Sequence, residues 1–156
     1  MRKIILVILI FVPTVIIGQI DKQKIISKFV ITNGTKNGND ITGLLLEQQA
    51  YLVFYAEDDN GLCLANVWVK NNSKSYGKVL DKMYHKSEVM SMEFESNILS
   101  FKWNYENTYN NKQGTANVEL VMINKPIGKV FMMTIISENS DVLRYNGYVE
   151  GSLILN

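Results

Sequence analysis

A chain of 156 residues that holds one histidine and one cysteine has few routes to covalent or metal chemistry. The histidine, His85, sits in Tyr84-His85-Lys86. To work as a general base it needs a nucleophile to deprotonate and a third group to orient it, and no Gly-x-Ser-x-Gly or comparable motif accompanies it. A solvated turn histidine is the better reading. Together, Cys63 and His85 fall short of the four ligands of a structural zinc site and of the several thiolates that hold an iron–sulfur cluster. A disulfide framework needs paired cysteines. Glu57-Asp58-Asp59-Asn60 offers oxygen ligands for calcium but lacks the alternation and distal glutamate of an EF-hand loop, and reads as an acidic hairpin turn. Glu93 and Glu95 share one strand face. Glycosidase carboxylates usually come from separate elements across a cleft, so these two read as exposed strand charges. The sequence therefore predicts no catalytic residue, no metal, no cofactor and a protein that is not an enzyme.

Aromatic residues leave more room for a role, in binding. Leu62-Cys63-Leu64-Ala65 is an apolar, strand-like run. If Cys63, Ala65, Val67 and Val69 face the core, Cys63 is a buried, inert thiol and Trp68 points outward. Tyr148 shares its strand face with Arg144, Asn146 and Glu150, which also places it outside. Trp103 and Tyr105 run into Glu106-Asn107-Thr108-Tyr109-Asn110-Asn111, a strand that opens into a loop rich in tyrosine and asparagine. In a hollow barrel these residues would line the mouth, where such barrels hold their ligands. Trp68, Trp103, Tyr105, Tyr109 and Tyr148 are thus the candidate ligand- or partner-binding residues. The plainer alternative is that they pack across strands.

The elements that must position them have a period of two. Ile98 to Tyr105 puts Leu99, Phe101, Trp103 and Tyr105 on one face and Ser100, Lys102 and Asn104 on the other, the pattern of a half-buried strand. Met90 to Glu95 alternates in the same way, and Ser96-Asn97 between the two predicts a hairpin turn. Further strands are expected at Ile25–Thr32, Tyr51–Ala56, Leu62–Lys70, Thr115–Ile123, Lys129–Ile136 and Val142–Leu153, the last with Leu143, Tyr145, Gly147 and Val149 on its apolar face. Asn60-Gly61 and Pro126 with Gly128 mark turns, and Asn33 to Asp40 is the most turn-rich stretch. Leu44 to Gln49 reads equally as a short helix or the start of a strand. Val79, Leu80, Met83 and Tyr84 fall on a helical stripe, but Gly77 weakens a helix, and the region favours a strand with Tyr76, Leu80 and Tyr84 on one face.

About eight to ten short strands joined by hairpin-length turns predict an all-β antiparallel meander. Without amphipathic helices between strands, a parallel α/β sheet is disfavoured. An up-and-down barrel, which removes its edges by closure, is preferred over a β-sandwich. The architecture is lipocalin-like in strand count and hairpin order. The Gly-x-Trp of that family is absent near the first strand, so the likeness stops there.

The first residues read as an address. Arg2 and Lys3 precede an apolar run from Ile4 to Ile17, and Gly18-Gln19 ends it before Asp21, Lys22 and Lys24. That order is a secretory signal peptide over residues 1–19, leaving residues 20–156 as one β domain. The run is shorter than the ~18 to 20 apolar residues a spanning helix needs, so no stable membrane anchor is expected once the signal is removed. No cysteine near the exit offers a lipid-attachment site. Losing Arg2 and Lys3 leaves 14 basic against 15 acidic residues, with Arg144 the one remaining arginine. Nucleic acid, which needs a clustered positive surface, is an unlikely partner on that balance. The sequence leads to an exported bacterial protein, periplasmic or extracellular. It would bind a small apolar or sugar-like ligand or an envelope protein, or act as an inhibitor or immunity-type protein through a surface aromatic patch.

Overall fold

The computed structural model describes residues 24–57, 61–88, 95–126 and 128–151. The leader expected over residues 1–19 lies outside them, as do Asp58, Asp59 and most of the strand expected over Met90–Glu95. The described residues form β1 (Lys24–Lys36), β2 (Asn39–Asp40), α1 (Thr42–Glu47), β3 (Ala50–Glu57), β4 (Gly61–Trp68), β5 (Ser73–Glu88), β6 (Glu95–Asn107), β7 (Lys112–Lys125), β8 (Gly128–Ser137) and β9 (Val142–Gly151). From β3 onward each strand pairs antiparallel with the next, and β1 pairs with β3. β9 returns to β1, from Ser27–Gly151 to Lys36–Leu143, and closes the sheet. β2 is a two-residue addition to β1, so eight strands make the wall. The fold is an all-β, antiparallel barrel.

The turn-rich stretch after Asn33 is partly strand. β1 runs on to Lys36 before Asn37 and Gly38, both at positive φ, turn the chain into β2. Of Leu44 to Gln49, the residues up to Glu47 belong to the helix α1, and Gln48 and Gln49 turn the chain into β3. The Asp40 carboxylate accepts the Thr42 N–H at 2.8 Å, and its hydrogen bonds with Thr42 hold its pKa below the usual carboxylate value. Leu45 is the buried residue of the helix. It settles on Gly34, where an added Cβ would lie 2.7 Å from the Leu45 Cδ1.

Three expectations are corrected. Ser96 and Asn97 are not a turn. They belong to β6, opposite Ser87 and Lys86, and the connection falls between Glu88 and Glu95. Polar residues are accommodated in the strand because the Tyr84 hydroxyl donates to the Asn97 side-chain oxygen. Next, β4 has the opposite phase. The pairs Ala50–Trp68, Leu52–Asn66 and Phe54–Leu64 put Leu64, Asn66 and Trp68 inside and Cys63, Ala65 and Val67 outside. Both faces of β4 are mostly apolar, so alternation alone leaves the phase open. Leu64 joins Leu52 and Phe54 of β3 in the interior, and the small Cys63 and Ala65 pack with Val53 and Tyr55 on the outer wall. Finally, Tyr76, Leu80 and Tyr84 do not share a face. A bulge between Leu80 and Met83, with Asp81 at φ 49°, shifts the alternation before Tyr84.

Inside the barrel the aromatic rings meet edge to face, Phe29 with Phe54 at 5.5 Å, Phe29 with Phe131 at 5.0 Å and Phe54 with Phe101 at 5.8 Å. Phe29, Leu52, Phe54, Leu64, Leu120, Met133 and Tyr145 each have 0% exposure. A side chain with no accessible surface touches neither outside solvent nor a water-sized void. These seven come from β1, β3, β4, β7, β8 and β9, so packing reaches across the middle of the barrel.

Candidate binding surfaces

Of the candidate aromatics, the barrel brings Trp103 and Tyr105 together. Their ring centroids are 4.9 Å apart. Trp103 is buried, and its indole N–H donates to the Leu64 carbonyl at 3.2 Å. Tyr105 is half-buried, its hydroxyl 2.7 Å from where a Cβ on Gly114 would stand. A glycine facing the interior at this point makes room for the tyrosine ring. Trp68 is also half-buried against the core, and the outward position expected for it is overturned by the phase of β4. The other two lie elsewhere. Tyr109 is 81% exposed in the turn between β6 and β7, where its backbone N–H is bound by the Asn107 side chain at 2.8 Å. Tyr148 is 45% exposed on the outer face of β9, opposite Val130 on β8 and Val30 on β1. The five residues do not form one surface.

Two polar side chains meet in the interior. The Asn66 amide N–H donates to the Tyr145 hydroxyl at 3.2 Å. Burial pushes the Tyr145 phenol up to about 12, against the opposing pull of the Asn66 hydrogen bond. It therefore stays protonated around neutral pH and braces the interior through its hydrogen bond with Asn66. The Asn66 side-chain oxygen and the Ser27 hydroxyl are buried and find no hydrogen-bond partner among the described residues. Leaving such groups unpaired is costly and usually has a structural reason.

Cys63 is buried as expected, at 1% exposure, but in a small cluster on the outer wall with Val53, Tyr55 and Ala65. Burial and, next, the Glu57 charge push its thiol up, which disfavours the reactive thiolate. Burial likewise raises the Tyr55 phenol. Lys28 lies over the Tyr51 ring at 5.2 Å and Lys74 over the Tyr76 ring at 4.9 Å, so cations flank this tyrosine-rich wall. His85 is exposed, as expected, although on β5 and not in a turn.

The alternation of single strands missed an outward apolar surface across β6 to β9. Register aligns Tyr148, Val130 and Ile123 in one row and Met132, Val121 and Ile98 in the next. Beside it runs a groove of about 640 Å³ bordered by Lys125, Met132, Asn146 and Tyr148. The signal was present in Val121-Met122-Ile123 and Val130-Phe131-Met132-Met133, where both faces are apolar. A half-buried strand needs only one such face.

No family model, curated protein or solved structure matches this chain. Its chemistry is carried by its own geometry. Among the described residues, no group of three or more His, Cys, Asp or Glu side chains is placed to hold a metal. Among them, too, no helix is long and apolar enough to cross a membrane.

Proposed function

We propose that this protein is an exported, non-enzymatic β-barrel that binds another protein of the envelope or its surroundings through its outer wall. The observation that carries this reading is the packed middle of the barrel, where seven side chains from six strands have no accessible surface. A barrel that carries a small ligand inside needs a void of roughly 300 Å³ or more at that level. The outer wall, by contrast, holds two apolar rows centred on β7 and β8, and contiguous outward apolar surface is a usual mark of a protein interface. An inhibitor or immunity-type role is one form of this reading. Export, to the periplasm or beyond, rests on the leader-like sequence of residues 1–19.

The test is a titration of the chain from residue 20 onward with a fluorescent fatty-acid analogue, read together with native mass spectrometry. Surface action predicts no saturable binding of the probe and a mass equal to the polypeptide alone. One tightly bound equivalent that quenches the buried Trp103 would overturn it in favour of an interior ligand.

A further inference from the structure

The long strand β5 overhangs its neighbour. β4 and β5 pair from Trp68–Ser73 to Cys63–Lys78, where β4 is close to its end at Gly61, but β5 continues to Glu88 with β6 along its other side. Among the described residues, no strand pairs with the β4-side edge of β5 over residues 79–88. Ten residues of strand extend about 33 Å. In a wall otherwise closed on itself, this length turns a row of backbone N–H and C=O groups away from β6 that no described strand takes up, and only another extended backbone matches such a row in spacing and alternation.

The side chains along the overhang differ from those of the rest of the wall. Leu80, Met83 and Tyr84 are 40%, 59% and 42% exposed, although they are apolar or aromatic. Lys78 and Lys82 are exposed beside them, while the Asp81 carboxylate is engaged by Lys102 at 3.2 Å. The bulge at Asp81 divides the edge and leaves residues 83–88 as the longer regular stretch. Next to the bulge, a groove of about 670 Å³ on the outer face is bordered by Met83, Lys102, Glu119 and Ile136.

We propose that the overhanging edge of β5 is a strand-addition site whose occupant is an extended, acidic segment of a partner protein. This rests on the surface-acting reading above and names its interface. The charge of the edge selects the occupant. Lysines on an exposed edge discourage pairing with a second lysine-bearing edge, and so disfavour a second copy of this chain, while they attract carboxylates. Alternate apolar residues in the added strand would cover Leu80 and Met83 on the outer side.

The test is amide hydrogen exchange, resolved by NMR on the folded chain, with and without a synthetic ten-residue peptide of alternating valine and glutamate. Without peptide, amides of residues 83–88 that point away from β6 should exchange fast while those bonded to β6 stay protected. The acidic peptide should slow the fast set at least tenfold, and an otherwise identical valine–lysine peptide should not. Lys82→Glu should weaken the acidic peptide about tenfold while leaving β6 and β7 amides protected, which verifies the fold. Absence of protection at millimolar peptide would overturn the proposal, as would equal protection by both peptides. So would protection of the same amides by concentration alone, which would assign the edge to a second copy. These failures leave the fatty-acid titration untouched, so the site can be lost while the surface-acting reading stands.

Discussion

The Tyr145 hydroxyl on β9 accepts the Asn66 amide of β4 at 3.2 Å, although β9 and β4 are not neighbours in the wall. One side chain thus reaches through the interior and ties together two strands that β1 and β3 separate in the wall. Both residues are buried, so water cannot replace either partner at no cost. The same bond supplies a buried asparagine with a partner for its donor, while its acceptor oxygen finds none among the described residues.

Tyr145→Phe should lower the unfolding free energy by about 1–3 kcal/mol, since it leaves the Asn66 donor stranded. Adding Asn66→Leu should recover part of that loss by removing the stranded group. Urea unfolding of the two single variants and the double variant checks this, and strict additivity of the losses would count against the brace.

Stability should fall at alkaline pH. The folded Tyr145 phenol titrates at about 12, above an ordinary tyrosine near 10. Its protonated form is therefore favoured by folding, and this contribution is complete below pH ~10 and lost as pH rises towards ~12. Tyr145→Phe should make that part of the stability profile shallower, with the raised Tyr55 phenol supplying the slope that remains. Tyrosinate absorbance followed alongside urea unfolding gives the comparison.

Two glycines should respond oppositely to alanine. At Gly77 a Cβ would fall on the Asn104 carbonyl oxygen, which is backbone of the paired strand and has little freedom to yield. Gly77→Ala should cost about 3 kcal/mol or more, or prevent folding. At Gly43, within α1, a Cβ meets nothing within 4 Å. Gly43→Ala should add up to about 1 kcal/mol through helix propensity. Thermal melts decide both.

Cys63 should resist iodoacetamide at neutral pH in the folded protein and react readily in urea. Its burial and raised pKa both oppose the thiolate. Rapid labelling of the native chain, measured by mass spectrometry, would contradict the buried outer cluster.

Strands with one polar face were legible in the sequence. β6 alternates through Ser100, Lys102 and Asn104, and β9 through Arg144, Asn146 and Glu150, so their inward faces followed directly. β4 offered no such contrast. Its phase is set by pairing with β3, a relationship between two strands that one strand alone does not encode. Trp68 was misplaced for that reason, and Trp103 and Tyr105 proved to be packing partners because the barrel is filled where they point. The overhang of β5 was equally invisible, since it arises from unequal strand lengths and a bulge at Asp81. Whether an edge is open depends on where the neighbouring strand stops.

The pairing that closes the barrel joins the first strand to the last. While the chain emerges from its N-terminus, β1 can find β3 early but must wait for β9 before its other side is satisfied. Every partial chain is therefore an open sheet with two sticky borders, and the final ten-residue strand acts as the latch. Contacts so distant along the chain are slow to form. Loss of even the end of β9 would trap the whole wall in its unfinished, aggregation-prone form.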